Sequence, residues 1–351
     1  MIVTGTGQLE QLSPRRKSLA VWPQVLRLAA LAGTAITAQA IYVAARAAHA
    51  IAYTPSADQA KRRYETAPDS PESTQRPIWS PRTPVRDIHF ISHDGLTISG
   101  WYIQQLCLAP AVILCHPWRH DCTYLVRLAE HFHRRRYHVL LFDFRAHGRS
   151  AGRYTTGGDL ESRDVITALE FVQRQPYVIP QRIGVLGYSM GAAAALLAAA
   201  YRPEIAAVVA DSSYAQLDAV LAEWVQKYFA HSGFKVGSRT LAQWTLRAFE
   251  RYASCSLHVS PAAAARQIVA SGRQVMIVHG LNDTLVGPEH ARTIAAHATG
   301  EGLTLWLVDG AEHCGAPAYD LRTYLKRVDT FFDRCLRPTS GEWFPEQPLF
   351  G

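Results

Sequence analysis

None of the six cysteines (Cys107, Cys115, Cys122, Cys255, Cys314, Cys335) is spaced as a CxxC pair or as part of a metal-ligand set. In a chain of 351 residues this scatter argues against a disulfide framework and for buried free thiols. The main body of the chain also lacks a charge of one sign. Residues 87–351 carry 25 Lys/Arg against 24 Asp/Glu, whereas residues 1–86 carry 11 against 5. The formal net charge of +7 is therefore an N-terminal property. A near-neutral body is poor material for tracking a phosphate backbone, so no nucleic-acid partner is expected. Internal repeats are missing too, and with 48% apolar residues the chain can bury a substantial core.

Long apolar runs are scarce. Residues 28–45 form one uncharged stretch of 18, preceded by a basic segment, 1–27, with Arg15, Arg16, Lys17 and Arg27. As a helix the stretch would span roughly 27 Å, close to the ~30 Å hydrocarbon core of a bilayer. A membrane anchor is the expectation, and with it a membrane-associated location through an N-terminal hydrophobic helix. The side of the membrane stays open, because four basic residues flank the stretch at each end. Two alternatives also stay open: a cleaved signal, since Ala38-Gln39-Ala40 resembles a small-x-small site, and an amphipathic helix of a soluble protein. Residues 46–86 then read as a linker, rich in proline and polar residues over 54–86.

From residue 87 the pattern becomes regular. A hairpin is expected through Asp94-Gly95, followed by short apolar runs at 111–115, 137–144, 182–186, 206–210, 275–278 and 303–308. Helical periods fall at 124–136, 159–175, 190–200, 288–298 and 319–335. Apolar runs without alternation suit a parallel sheet covered on both faces. The expected fold is therefore α/β, doubly wound and mostly parallel, over 87–338, with residues 339–351 as a tail.

Within it, Gly187-Tyr188-Ser189-Met190-Gly191 sits between a predicted strand and a predicted helix. This G-x-S-x-G spacing projects a serine hydroxyl from a sharp turn whose flanking glycines keep bulk away. A serine needs a base and a carboxylate to become a nucleophile. Candidates follow in order: Asp283 in His279-Gly280-Leu281-Asn282-Asp283, just past one strand, and His313 in Gly310-Ala311-Glu312-His313, just past the next. Asp211 is a rival acid at a preceding strand end, and His279 a rival base better placed to shape the Asp283 loop. His131, His133 and His138 are expected on solvated surface.

These motifs, with the segment 141–150 (LFDFRAHGRS) and the strand 112–118 (VILCHPW), resemble the α/β-hydrolase superfamily, near its esterase and serine-aminopeptidase-like branch. Ala146 and Pro117 stand where glycine is usual. The resemblance implies structural roles for Asp143 and Arg145. It also implies an oxyanion hole from the backbone N–H groups of Trp118 and Met190, and a cap inserted at about 214–274. Cap aromatics such as Trp224 and Trp244 either pack the cap onto the core or wall an acyl chain. The expected activity is hydrolysis of a carboxylic ester or thioester through an acyl-enzyme on Ser189, with His313 as base and Asp283 as its orienting acid. The substrate is expected to be a small-molecule or lipid-like acyl compound, with no metal or organic cofactor. A peptidase of the same fold, or a non-catalytic binding module, remains an alternative.

Overall fold

The computed structural model describes residues 35–53, 79–80, 83–231 and 238–337. Eight strands form one sheet: β1 (Val85–Ile91), β2 (Thr97–Ile103), β3 (Ala109–Cys115), β4 (His138–Phe142), β5 (Val178–Tyr188), β6 (Ile205–Asp211), β7 (Gln274–Gly280) and β8 (Leu303–Val308). Their spatial order is β1-β2-β4-β3-β5-β6-β7-β8. β1 and β2 are an antiparallel hairpin, β2 joins β4 antiparallel, and the strands from β4 through β8 run parallel. The predicted fold class is thus observed, an open doubly wound sheet whose strand ends open toward one edge.

Burial on both faces explains the unbroken apolar runs. Every residue of β3 and β4 is buried. One face is covered by α3 (Asp159–Gln173), α4 (Met190–Tyr201), α7 (Pro261–Ala270) and α8 (Pro288–His297). The other is covered by α2 (Val126–Arg134) and α10 (Leu321–Leu336), which contribute Phe132, Tyr324 and Phe332. Helix α9 (Ala316–Tyr319) is a single turn after β8. The segment expected to be the cap holds α5 (Leu217–His231) and α6 (Ser238–Ala253) as a separate layer. Its third helix, α7, buries Ala265 and Ile268 in the main core instead.

The N-terminal expectation needs correction. Residues 1–34 lie outside the described residues, as do 54–78 and the 339–351 tail. What is described is α1 (Ala35–Ala52), which carries Arg46 and His49. Among the described residues no helix is long and apolar enough to cross a membrane, so the membrane anchor and the membrane-associated location are overturned. Ala44, Ala48 and Ala52 recur every fourth residue and are buried. Such a stripe of small side chains lets another helix approach closely. Here α1 packs on the cap helix α6, with Val43, Ala47 and Ile51 against Leu241 and Ala242 and against Val225 of α5. Its C-terminal end is pinned by a Thr155 N–H to the Ala52 carbonyl, 2.9 Å, and by a Tyr53–Tyr154 bridge.

The histidine cluster is corrected as well. His138 is fully buried on β4. It is stacked on Tyr102, its Nδ1 lies 2.8 Å from the Tyr102 hydroxyl, and its Nε2 lies 3.0 Å from the Tyr177 carbonyl. Burial pushes its pKa down to about 4.

Candidate active site

Ser189 stands on the turn between β5 and α4 with φ 52°, a left-handed conformation that costs a non-glycine residue energy. The turn is held by the Ser189 N–H to the Asp211 carbonyl on the neighbouring strand, 2.8 Å. The two flanking glycines are required by contact. A Cβ on Gly187 would fall 2.3 Å from the Gly191 carbonyl oxygen, and one on Gly191 would fall 2.6 Å from those of Cys115 and His116. The end of β3 therefore lies against the first turn of α4, and the loop carrying Trp118 leaves beside the serine. His116, wholly buried, shapes that loop. Its Nε2 accepts the Phe144 N–H at 3.0 Å, so Nδ1 carries the hydrogen and donates to the Pro117 carbonyl at 2.8 Å. Burial and the nearby His147 hold its pKa well below the usual histidine range, which keeps it neutral.

Ser189, Asp283 and His313 come together. His313 Nε2 lies 2.9 Å from Ser189 Oγ, and His313 Nδ1 lies 2.6 Å from Asp283 Oδ2. With Nδ1–H donated to the carboxylate, the Nε2 lone pair faces the serine hydroxyl. Gly280 makes this approach possible, because a Cβ there would sit 2.2 Å from the Ala311 carbonyl oxygen in the loop that carries His313. That loop is fastened by Asn282 N–H to Ala311 O, 2.9 Å, and by Cys314 N–H to Ser212 Oγ, 3.0 Å.

Asp283 is buried, yet it is well supplied with donors. Oδ1 accepts the N–H groups of Leu285 and Val286 at 3.0 and 2.9 Å. Oδ2 faces His279 Nε2 at 3.2 Å in addition to His313. Burial raises the pKa of this carboxyl, but His279, His313 and the Val286 amide outweigh it and hold it far below the usual range. His279 is the site residue whose role the sequence left vague. Fully buried, it also meets the Val286 carbonyl at 2.8 Å, so it braces both the acid and the turn that follows. The i, i+4 spacing of His279 and Asp283 across a strand end was the available signal. Asp211 does not reach His313; its Oδ1 accepts the Ser212 hydroxyl at 2.9 Å, and the Tyr324 hydroxyl is its other polar neighbour.

Met190 is the first residue of α4, where a backbone N–H has no intrahelical acceptor and the helix end carries partial positive charge. Trp118 follows the neutral His116 and Pro117, and its ring stacks on Trp224 of α5 with centroids 5.9 Å apart. Asp143 and Arg145 are structural. Asp143 accepts the N–H groups of Cys122 and Arg149 at 2.7 and 2.9 Å. The Arg145 guanidinium pairs with Asp164 at 2.7 Å and Asp94 at 2.8 Å. Ala146, where glycine is usual, takes φ 59°.

One group among the described residues has metal-ligand types in reach of each other, Glu223, Glu289 and His290. His290 Nδ1 accepts the Ala215 N–H at 3.2 Å, so a neutral ring carries its hydrogen on Nε2, toward Glu223. That tautomer offers no lone pair to a cation.

Compared with known proteins, residues 110–244 match the family described as alpha/beta hydrolase fold. An uncharacterized protein of Mycobacterium tuberculosis is 34% identical over 144 residues, 40% of this chain and 50% of that one. A thiohydrolase of Arthrinium phaeospermum is 32% identical over 126 residues, 35% of this chain and 41% of that one. The chain thus spans about half the length or less of these two curated relatives. Among solved structures, an esterase of Pyrococcus furiosus aligns with a TM-score of 0.60 at 27% identity, covering 74% of this chain and 95% of that one.

Proposed function

The chain belongs to the α/β-hydrolase superfamily, and from that premise we propose that it is a serine hydrolase of carboxylic esters or thioesters. The observation that carries the proposal is the unbroken line from Ser189 Oγ through His313 to Asp283, at 2.9 and 2.6 Å, on a strained strand-to-helix turn. In this reading His313 takes the Ser189 proton as the hydroxyl oxygen attacks the acyl carbon. Asp283 keeps the imidazole in the tautomer that can receive it. The oxyanion is met by the N–H groups of Met190 and Trp118, and His313 returns the proton to the departing alcohol or thiol. Water, activated by the same histidine, then releases the acid and regenerates Ser189.

An ester or thioester substrate is favoured because a sequence relative is named a thiohydrolase and a solved neighbour an esterase. The test uses no assumption about the physiological substrate. A fluorophosphonate probe should label the wild-type protein on Ser189 and leave Ser189→Ala unlabelled. Turnover of p-nitrophenyl esters should fall by up to ~10⁶-fold in Ser189→Ala and in His313→Ala, with no further loss in the double variant. A folded wild-type protein that neither labels nor turns over would sink the reading in favour of a non-catalytic module.

A further inference from the structure

The loops that carry Trp118 and Asp283 follow β3 and β7, and the sheet places β5, with the serine, and β6 between them. One side chain touches both. The Trp224 ring stacks on Trp118 at an interplanar angle of 23°, and its Nε1–H donates to the Leu285 carbonyl at 2.6 Å. Leu285 in turn donates its own N–H to Asp283 Oδ1. One helical turn on, Lys227 Nζ donates to the Thr284 carbonyl at 3.2 Å. On the other side of the site, the Arg119 guanidinium lies 4.2 Å from the Trp118 ring and donates to the Ala50 carbonyl of α1 at 3.0 Å. A continuous run of contacts therefore joins α1, through Arg119, Trp118 and Trp224, to the acid loop, with β5 and β6 lying between that loop and the one that carries Trp118, and Ser189 at the end of β5 is only 6% exposed.

We propose that Trp224 is a positioning residue: it locks the oxyanion loop and the acid loop to one cap helix, so that the cap sets the geometry of the reaction rather than only the shape of the acyl pocket. Two features of the geometry carry this. The indole uses its polar and its apolar part on different loops, one hydrogen bond to Leu285 and one ring face to Trp118. And the hydrogen-bonded carbonyl belongs to the residue whose amide holds the triad carboxylate. Misplacing catalytic groups by about an ångström can cost about 10²-fold in rate, so loosening both loops should be felt in turnover itself. The proposal rests on the serine-hydrolase reading.

The experiment compares Trp224→Ala and Trp224→Phe with the wild type, on p-nitrophenyl acetate and on a long-chain p-nitrophenyl ester. Thermal melts are recorded for each protein, and the rate of fluorophosphonate labelling serves as a second readout. Acetate is too short to need a wall in the cap. Trp224→Ala should lower kcat on acetate by about 30- to 100-fold with KM changed less than about threefold, and slow probe labelling alike. Trp224→Phe keeps a ring for Trp118 and should recover about tenfold of that loss, but not all, because the N–H is gone. Losses confined to KM for the long ester, with acetate kcat intact, would make Trp224 a pocket wall and overturn the proposal. So would Phe and Ala variants of equal rate, which would leave the stack without a role. A wild-type protein that neither labels nor hydrolyses acetate would instead defeat the underlying hydrolase reading. Should Trp224→Ala melt below the assay temperature, the Phe variant decides alone: a folded protein with wild-type kcat on acetate overturns the proposal, and a several-fold loss at unchanged KM supports it.

Discussion

Asp211 and Asp283 occupy neighbouring places, the last residue of β6 and the turn just past β7, and both are buried. Their carboxyl groups behave in opposite ways. Burial pushes the Asp211 pKa up to about 6, against the opposing effect of the Ser212 and Tyr324 hydroxyls and the nearby His279. Asp283 is held well below the usual range by two backbone amides and two histidines. Asp211 is the more deeply enclosed of the two, and Asp283 has the richer supply of donors. After β6 the Ser212 amide is spent on the Val278 carbonyl of the sheet, 2.8 Å. After β7 the chain turns back at once, so the amides two and three residues on point at their own aspartate.

The largest expected effect breaks the contrast at its acid. Asp283→Asn keeps the size of the side chain but lets His313 adopt the wrong tautomer, and kcat should fall by about 10⁴-fold. Steady-state turnover checks this, with a thermal melt to exclude unfolding. If Asp283→Asn stays active while folded Asp211→Asn is dead, the two roles are exchanged.

Next is the packing that brings His313 to β7. Gly280→Ala places a methyl group against the Ala311 carbonyl and should separate the loops, with a loss of about 10²-fold in kcat. Unchanged turnover would mean that the loop can shift without moving His313.

A smaller effect is expected at the shared histidine. His279→Leu removes the imidazole that faces Asp283 Oδ2 at 3.2 Å and binds the Val286 carbonyl, a loss of about 1.5–3 kcal/mol, or roughly 10- to 100-fold if expressed in the transition state. His279→Gln, which can still donate, should recover part of it. Equal rates for Leu and Gln would show that the ring only fills space.

The smallest effect is on stability rather than rate. With its pKa raised, Asp211 keeps its proton in the native state between pH 3.8 and about 6, while the unfolded chain releases it. The unfolded state then binds fewer protons, so this group makes stability fall as pH rises through that window. Asp283, depressed, works the other way: its contribution is present above the usual carboxylate range and is lost as the medium becomes acid. Asp211→Asn should therefore keep turnover within about threefold, on the order of the ~0.5 kcal/mol of a near-neutral change. Its stability should fall less steeply than that of the wild type from pH 4 to 6. Denaturant midpoints across that range check the slope, and parallel curves would refute the raised pKa.

Much of this was legible in the chain because it is written locally. The elbow at 187–191, the continuous apolar strands and the order of Ser189, Asp283 and His313 each lie within one strand-turn segment, where glycine spacing and periodicity carry the information. What was misread depended on a partner. Residues 28–45 look like a bilayer segment by length and lack of charge, but the helix described, α1, runs on through Arg46 and His49, and its buried alanines, Ala44, Ala48 and Ala52, belong to a helix that packs against α6. His138 resembles the half-buried His131 and His133 in sequence, but it lies on β4 between the buried Tyr137 and Val139 and meets Tyr102 in the core.

The sequence by itself determined the sheet, the strained turn and the set of residues from which a nucleophile, base and acid could be drawn, since these follow from dihedral preferences and side-chain periodicity along a short stretch. Only the tertiary structure decided which carboxylate faces His313, that His279 shares it, and that Trp224 joins two loops 106 residues or fewer from it in either direction. Each of those outcomes is a distance of a few ångströms between segments far apart in the chain. Hydrogen bonds and ring contacts act only at such distances, and a linear pattern does not encode them.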